Sequence, residues 1–289
     1  MTAGTANEVY AVTLPSREVI VRLNADSASM RGAEKHIRLF RSLGISVPEM
    51  LASDYSKSLI PFAYQVQSKL DGTDIGHVIA TLSDDQLRAV AREIAAIMRK
   101  LKPLPTSGRF GWMGGGKEAT FMTWPDLLKD MSAQVAERAA ATHVVSDRHL
   151  RAMDALLASY LPYFSRVASV FYYDDMSSKN VIVRDGRFAG LVDLDTVAFG
   201  DPLEGVGRIE ASWYGAAYGR TYADALMEAL DLAPEERTMV SVYAVLNRIY
   251  WLSERGIKFN GNTSAQVDPA AVDRDRIVID HMLAGLRAN

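Results

Sequence analysis

Residues 171–195 read FYYDDMSSKNVIVRDGRFAGLVDLD, and this stretch decides the fold. Val181 to Val183 and Phe188 to Val192 are short apolar runs of strand character, and Asp185-Gly186 between them is a two-residue hairpin turn. A third strand-like run, Val167 to Tyr172, stands just upstream. Two of these strands end in carboxylates, at Asp175 and Asp193, and Asn180 opens the strand between them. Asp175 and Asn180 share one tight loop, and the hairpin folds Asp193 back to the same end of the sheet.

Outward from this β-island the pattern differs on its two sides. Upstream, Val9 to Leu14 and Glu18 to Leu23 read as a hairpin around Pro15 and Ser16. Met30 to Leu43 is amphipathic and stops at Gly44. Strand-like runs follow near Met50 to Ser53 and Phe62 to Ser68. Beyond Asp71-Gly72-Thr73 nearly everything else is helical. Ser83, Asp84 and Asp85 cap the run Gln86 to Leu101, and helical periodicity returns over Pro125–Ala141, Asp147–Leu161 and from Leu203 onward. The expectation is an α+β chain in which residues 1–70 form a small β-rich lobe with one helix, a short connector follows, and 71–289 form a large, mainly helical lobe.

Composition narrows the function. The 289 residues are 48% hydrophobic and 23% charged, as in ordinary globular proteins. A formal net charge of −3 offers no basic footprint for nucleic acid. Cysteine is absent, which removes disulfides and thiolate metal sites and fits a reducing compartment. No run reaches the roughly 18 apolar residues of a membrane span, and the first ten residues lack signal-peptide character. The default is a soluble cytoplasmic protein with no membrane partner.

The 171–195 constellation suits phosphoryl transfer. One carboxylate takes the proton of an acceptor hydroxyl, while an Asn and a second carboxylate hold magnesium on the nucleotide phosphates. The segment resembles the aminoglycoside phosphotransferase and choline kinase family, whose loop reads His-x-Asp-x4-Asn followed by a strand ending Asp-x-Asp. The resemblance implies a bilobal protein-kinase-like fold, with 1–70 as the nucleotide-binding lobe, a hinge at about 65–72, and 71–289 as the lobe of the catalytic loop and substrate site. The resemblance implies Asp175 as catalytic base and Asn180 and Asp193 as magnesium ligands, with Gly200-Asp201-Pro202 as the usual continuation. Asp195 would help with the metal or order the loop. Val19-Ile-Val-Arg22 looks like the strand carrying a phosphate-contacting cation, with Glu34 on the next helix as its ion-pair partner. Gly44 to Pro48 is similar to the family's turn into the next strand. Gln65 to Leu70, including Gln67, Ser68 and Lys69, would receive the base of ATP, or of GTP, through backbone groups.

Two departures stand out. Tyr173 occupies the position of the motif's His, so a phenol would make the scaffold hydrogen bond. Gly4-Thr5-Ala6-Asn7 lies almost at the terminus, where a shortened phosphate loop or an incomplete start is expected; Gly4 and Asn7 are its candidate contacts. The five histidines lack metal-ligand spacing. Gly111 to Glu118 nearly fits a phosphate-binding loop, but it has Glu where a hydroxyl must meet magnesium and reads as a mobile loop beside the cleft.

The implied activity is transfer of a γ-phosphoryl group to a hydroxyl on an aminoglycoside-like molecule, another antibiotic or an amino alcohol. Glu204, Glu210, Asp224 and Glu228 are candidates for meeting a cationic acceptor, against the plainer role of a solvated face. The alternatives are a nucleotide-binding pseudokinase acting as an interaction module, and a haloacid-dehalogenase-like phosphatase with Asp193 as nucleophile and Asp195 as acid.

Overall fold

The computed structural model describes residues 2–3, 7–114, 117–258 and 265–288. The N-terminal part is an antiparallel sheet of β1 (Thr2–Ala3), β2 (Glu8–Thr13), β3 (Glu18–Asn24), β4 (Met50–Asp54) and β5 (Ala63–Ser68), ordered β1-β2-β3-β5-β4. Helix α1 (Ser27–Ser42) crosses between β3 and β4 and buries Met30, Ala33, Ile37 and Phe40. Asp26 caps its start by accepting from the Ala28 amide, and Gly44 follows its end at φ +66°. The chain then ties back to the hairpin around Asp185-Gly186: the Ser46 carbonyl accepts the Leu191 amide at 2.9 Å, and Ser46 Oγ donates to the Ala189 carbonyl at 2.6 Å.

The larger part is mainly helical. It begins with β6 (Thr73–Asp74), α2 (Ile75–Val78) and α3 (Asp84–Leu101), the last opened by a reciprocal Ser83–Gln86 capping box. After β7 (Gly111–Met113) come α4 (Trp124–Thr142), α5 (Asp147–Ser159) and α6 (Leu161–Phe164). The β-island comprises β8 (Val170–Tyr172), β9 (Val181–Arg184), β10 (Arg187–Leu191) and β11 (Val197–Gly200). Helices α7 (Pro202–Trp213), α8 (Ala217–Ala229), α9 (Pro234–Ser253) and α10 (Pro269–Ala288) complete the described chain. Among the described residues no helix is long and apolar enough to cross a membrane.

The expected hairpin forms between β9 and β10, with Asp185 at φ +50° and Gly186 at φ +73°, both in the left-handed region that a tight primed turn requires. β6 joins β9, giving the order β10-β9-β6. The stretch Gly111 to Glu118, expected to be a mobile loop, instead opens with β7, which joins a third sheet ordered β7-β11-β8. A three-residue strand carries no readable alternation, and its pairing partner lies more than 80 residues downstream in sequence.

The core below these sheets is apolar and continuous. Helix α7 packs along α9, and Gly207 permits the approach, since a β-carbon there would lie 2.6 Å from Tyr243 Cβ. Asp201 caps α7 through the Leu203 amide and accepts from the phenols of Tyr163 and Tyr243 at 3.0 and 2.8 Å. The Tyr243 phenol also accepts from Trp124 Nε1 at 2.7 Å. Gly200-Asp201-Pro202 thereby fixes where α7 starts.

Candidate active site

Two clusters of carboxylates face each other across the ends of β8, β9 and β10, each with an arginine. On the side of the five-stranded sheet, Arg22 reaches from β3. Its Nη2 lies 2.7 Å from Asp195 Oδ2 and 3.1 Å from Asp193 Oδ1. Burial works against the guanidinium charge, but Asp195 and Asp193 more than offset it and hold the pKa above its ordinary value. Asn7 donates to the same Asp195 oxygen at 2.6 Å and accepts from Asn24 at 2.7 Å. Gly4, the other phosphate-loop candidate, lies outside the described residues.

Asp193 sits at φ +59°. Burial, with Asp195 close by, pushes its pKa up to about 6 against the pull of Arg22, although half the side chain stays open on the cleft side. Helix α1 also touches this loop: His36 Nδ1 is 2.8 Å from the Leu194 carbonyl, and burial lowers the ring's pKa. The neutral ring is therefore assigned with its proton on Nδ1, as donor to that carbonyl.

Tyr173 performs the scaffold task expected at its position. Its buried phenol lies 3.1 Å from the carbonyls of both Val192 and Asp193, and shares its one proton between them. The residue thus pins the backbone that presents Asp193. Burial raises its pKa well above the ordinary value, so it stays neutral and a donor.

On the α7 side, Asn180 donates through Nδ2 to Asp175 Oδ2 at 2.8 Å and to the Asp175 carbonyl at 3.1 Å. The amide nitrogen is committed to the loop, which leaves the amide oxygen as the group able to meet a cation. Asp175 Oδ1 accepts from Ser177 Oγ at 3.3 Å and lies 3.7 Å from Arg208 Nη2. The preceding Asp174 is buried, accepts from Trp112 Nε1 at 3.0 Å and meets Arg208 Nη1 at 3.4 Å.

Other expected residues lie elsewhere. Glu34 does not pair with Arg22. It accepts from Arg38, one turn along α1, and from Ser53 and Tyr55 on the side of β4. These nearer donors satisfy Glu34, while Arg22 finds two carboxylates instead of one. The side chains of 67–69 are also engaged. Gln67 donates to Gln65 at 2.9 Å, Ser68 Oγ accepts the Glu49 amide at 2.8 Å, and Lys69 meets Glu18 at 2.6 Å.

The four acidic residues suggested for a cationic acceptor are divided: burial, with Asp224 nearby, raises the Glu210 pKa, while Glu204 and Glu228 have partners of their own. Glu204 is buried and accepts from Tyr172 at 3.2 Å; Glu210 accepts from Ser241; Glu228 pairs with Arg88 on α3. Asp174, Arg208 and Trp112 went unnoticed in the sequence. The available signal was a charged pair, Glu204 and Arg208, spaced i,i+4 on a helix whose other residues on that side are apolar.

A magnesium ion fits this donor set. It binds hard oxygen ligands, few of them from protein. Asp195 Oδ1 is buried without a hydrogen-bond partner, and Asp193 and Asn180 bring further oxygens toward the same loop ends. The set is two carboxylates and an amide; among the described residues no three His, Cys, Asp or Glu side chains converge on a cation-sized point.

Residues 1–240 match the model of the phosphotransferase enzyme family. Viomycin phosphotransferase of Streptomyces vinaceus is 28% identical over 195 residues, which cover 63% of this chain and 61% of that protein. The chain thus spans about three-fifths of that relative's length. Among solved structures, a thermostable mutant of aminoglycoside phosphotransferase APH(4)-Ia in ternary complex with AMP-PNP and hygromycin B superposes with a TM-score of 0.69 at 18% identity, covering 98% of this chain and 92% of that one. The GDP complex of wild-type aminoglycoside 2'-phosphotransferase-IIIa gives 0.68 at 17% identity, covering 99% and 91%. At such identities the likeness shows the fold. The match over 240 of 289 residues shows more, and it sets aside the dehalogenase-like phosphatase: the chain belongs to the phosphotransferase enzyme family.

Proposed function

We propose that the protein transfers the γ-phosphoryl group of a nucleoside triphosphate, ATP or GTP, to a hydroxyl of a small antibiotic-like acceptor. The observation that carries this reading is the pair Asp175–Asn180, joined at 2.8 Å beside a loop whose Asp193 backbone is pinned by Tyr173. Asp175 takes the acceptor's proton as the oxygen attacks phosphorus. Asn180, Asp193 and Asp195 would hold magnesium, which when bound neutralises charge on the phosphates. Arg22, released from Asp193 and Asp195, supplies positive charge to the same phosphates. The backbone of the connector after β5 is left to receive the base, because the side chains of Gln67, Ser68 and Lys69 have other partners.

The relatives suggest the acceptor class, a hydroxyl-bearing antibiotic such as viomycin or hygromycin B. The test is ADP or GDP release with magnesium across viomycin, hygromycin B and gentamicin, with mass spectrometry for one added phosphate. Product formation with any of them supports the reading. A second reading, a binding-only module, draws on Arg22 filling the space between Asp193 and Asp195. It requires magnesium-dependent nucleotide binding with no turnover above buffer.

A further inference from the structure

Arg208 has no part in the scheme above, yet it lies against the group assigned as base. It projects from α7 between Asp174, at 3.4 Å, and Asp175, at 3.7 Å. Its Nε is buried and has no hydrogen-bond partner, so no other acceptor fixes the guanidinium on that edge. The ring of Trp251 on α9 lies 5.6 Å from its central carbon, and Asp174 is held independently by Trp112 of β7. Arg208 therefore sits on a rigid support from three elements and touches the catalytic loop from outside it.

The two oxygens of Asp175 are held unequally. Oδ2 is gripped by Asn180 at 2.8 Å, whereas Oδ1 sees only the Ser177 hydroxyl at 3.3 Å and Arg208. Both oxygens keep lone-pair room for an acceptor's proton, and Oδ1, whose contacts are the longer ones, is the more weakly held. Its direction depends on what steadies it from the α7 side, and a displacement of about 1 Å at a reacting group can cost about 10²-fold in rate. Asp174 and Asp175 are also adjacent in the chain, and their charges would drive the two carboxylates apart without a cation between them.

We propose that Arg208 is a positioning residue for phosphoryl transfer: bridging Asp174 and Asp175, it fixes the direction in which Asp175 presents Oδ1 to the acceptor hydroxyl. This rests on the functional reading above, in which Asp175 is the base. Arg208 makes no contact with Asp193, Asp195 or Arg22, so its effect belongs to the transfer step and leaves the nucleotide side alone.

The experiment uses the full chain with ATP, magnesium, and viomycin or hygromycin B as acceptor probes, alongside thermal melts. Arg208→Ala should lower kcat by about 10- to 100-fold and leave the KM for ATP within about twofold. Millimolar guanidinium ion should restore part of the lost rate. Arg208→Lys keeps a charge but lacks the planar fork that holds two carboxylates in a fixed geometry, so it should fall between wild type and Ala. Wild-type kcat in a folded Arg208→Ala, equal loss in kcat and ATP affinity, or no response to guanidinium would overturn the proposal. If the Ala variant does not fold, Arg208→Lys decides: a folded Lys variant with wild-type kcat overturns it, and a lowered kcat at constant ATP KM upholds it. A wild type that phosphorylates neither probe and hydrolyses no ATP overturns the functional reading and this inference together. An active wild type beside an unaffected variant overturns the inference alone.

Discussion

Arg22 and Arg208 each stand before a pair of aspartates, and the two pairs differ in a way that distances alone misrepresent. The Arg22 contacts are short, 2.7 and 3.1 Å, and Asp193 is 53% exposed. The Arg208 contacts are longer, 3.4 and 3.7 Å, but Asp174 is only 7% exposed and holds Trp112 as well. In the proposed reading the shorter pair gives way when a cation is bound, since Arg22 occupies one oxygen of each aspartate. The longer one is anchored at buried Asp174, which Trp112 also holds, while Asp175 is 44% exposed and has Asn180 and Ser177 as further donors. Surroundings, more than separation, decide whether an ion pair is a placeholder or a scaffold.

That contrast breaks most sharply at Asp175 and Asp193. Asp175→Asn keeps the loop's shape and removes the proton acceptor, so kcat should fall by about 10²–10⁴ with nucleotide affinity nearly unchanged. Asp193→Ala should do the reverse at the binding level. Calorimetric titration should show that magnesium no longer strengthens nucleotide binding, while affinity without magnesium stays as in wild type. If both variants alter the same parameter, the division into a nucleotide half and an acceptor half is wrong.

Tyr173 sharpens the comparison by joining the halves, since it lies next to Asp174 in the chain and bonds the Asp193 backbone. Tyr173→Phe removes the phenol donor from two part-buried hydrogen bonds, a loss of about 1 kcal/mol in chemical denaturation. It should lower kcat by several-fold as Asp193 loses its anchor. Tyr173→His restores a donor and should keep at least a tenth of wild-type activity. A folded His variant reduced more than a hundredfold would give the phenol a direct part in the reaction.

Much of this was legible in the sequence because its causes are local. The hairpin at Asp185-Gly186, the Ser83 cap and the stop at Gly44 are set by backbone preferences of residues at those positions. The grouping of Asp175, Asn180 and Asp193 at one end of the β-island followed from strand lengths. The remainder depends on tertiary competition. Glu34 is claimed by Arg38 four residues away, while Arg22 finds partners 171 and 173 residues downstream, and no periodicity announces that exchange. β7 is too short for a pattern, and Trp112 matters only because β11 brings it beside Asp174. Arg208 looks like a surface charge until α7 is seen buried against α9.

The smallest expected effect concerns the support beneath the acceptor half. Glu204 is 2% exposed, accepts from Tyr172 through Oε2, and leaves Oε1 buried without a donor. An ionised carboxylate would leave charge on that oxygen unanswered, whereas a protonated one would not. Burial, with Asp174 adding to it and Arg208 opposing, pushes the pKa up to about 7. In the unfolded chain the same group titrates near about 4.3. Between these values the folded protein keeps a proton that the unfolded chain releases, so stability contributed here declines as pH rises from about 4.5 through about 7. One such proton gives a slope of at most about 1.4 kcal/mol per pH unit. Asp193, also raised, adds in the same direction, so the informative quantity is a difference between proteins. Glu204→Gln removes the titration but keeps the side chain's shape. Its urea midpoint should therefore decline less steeply than that of wild type across this window, and the two curves should separate most above pH 7. Parallel curves would show that Glu204 stays ionised in the folded state, and that the acceptor half carries one more negative charge than its burial suggests.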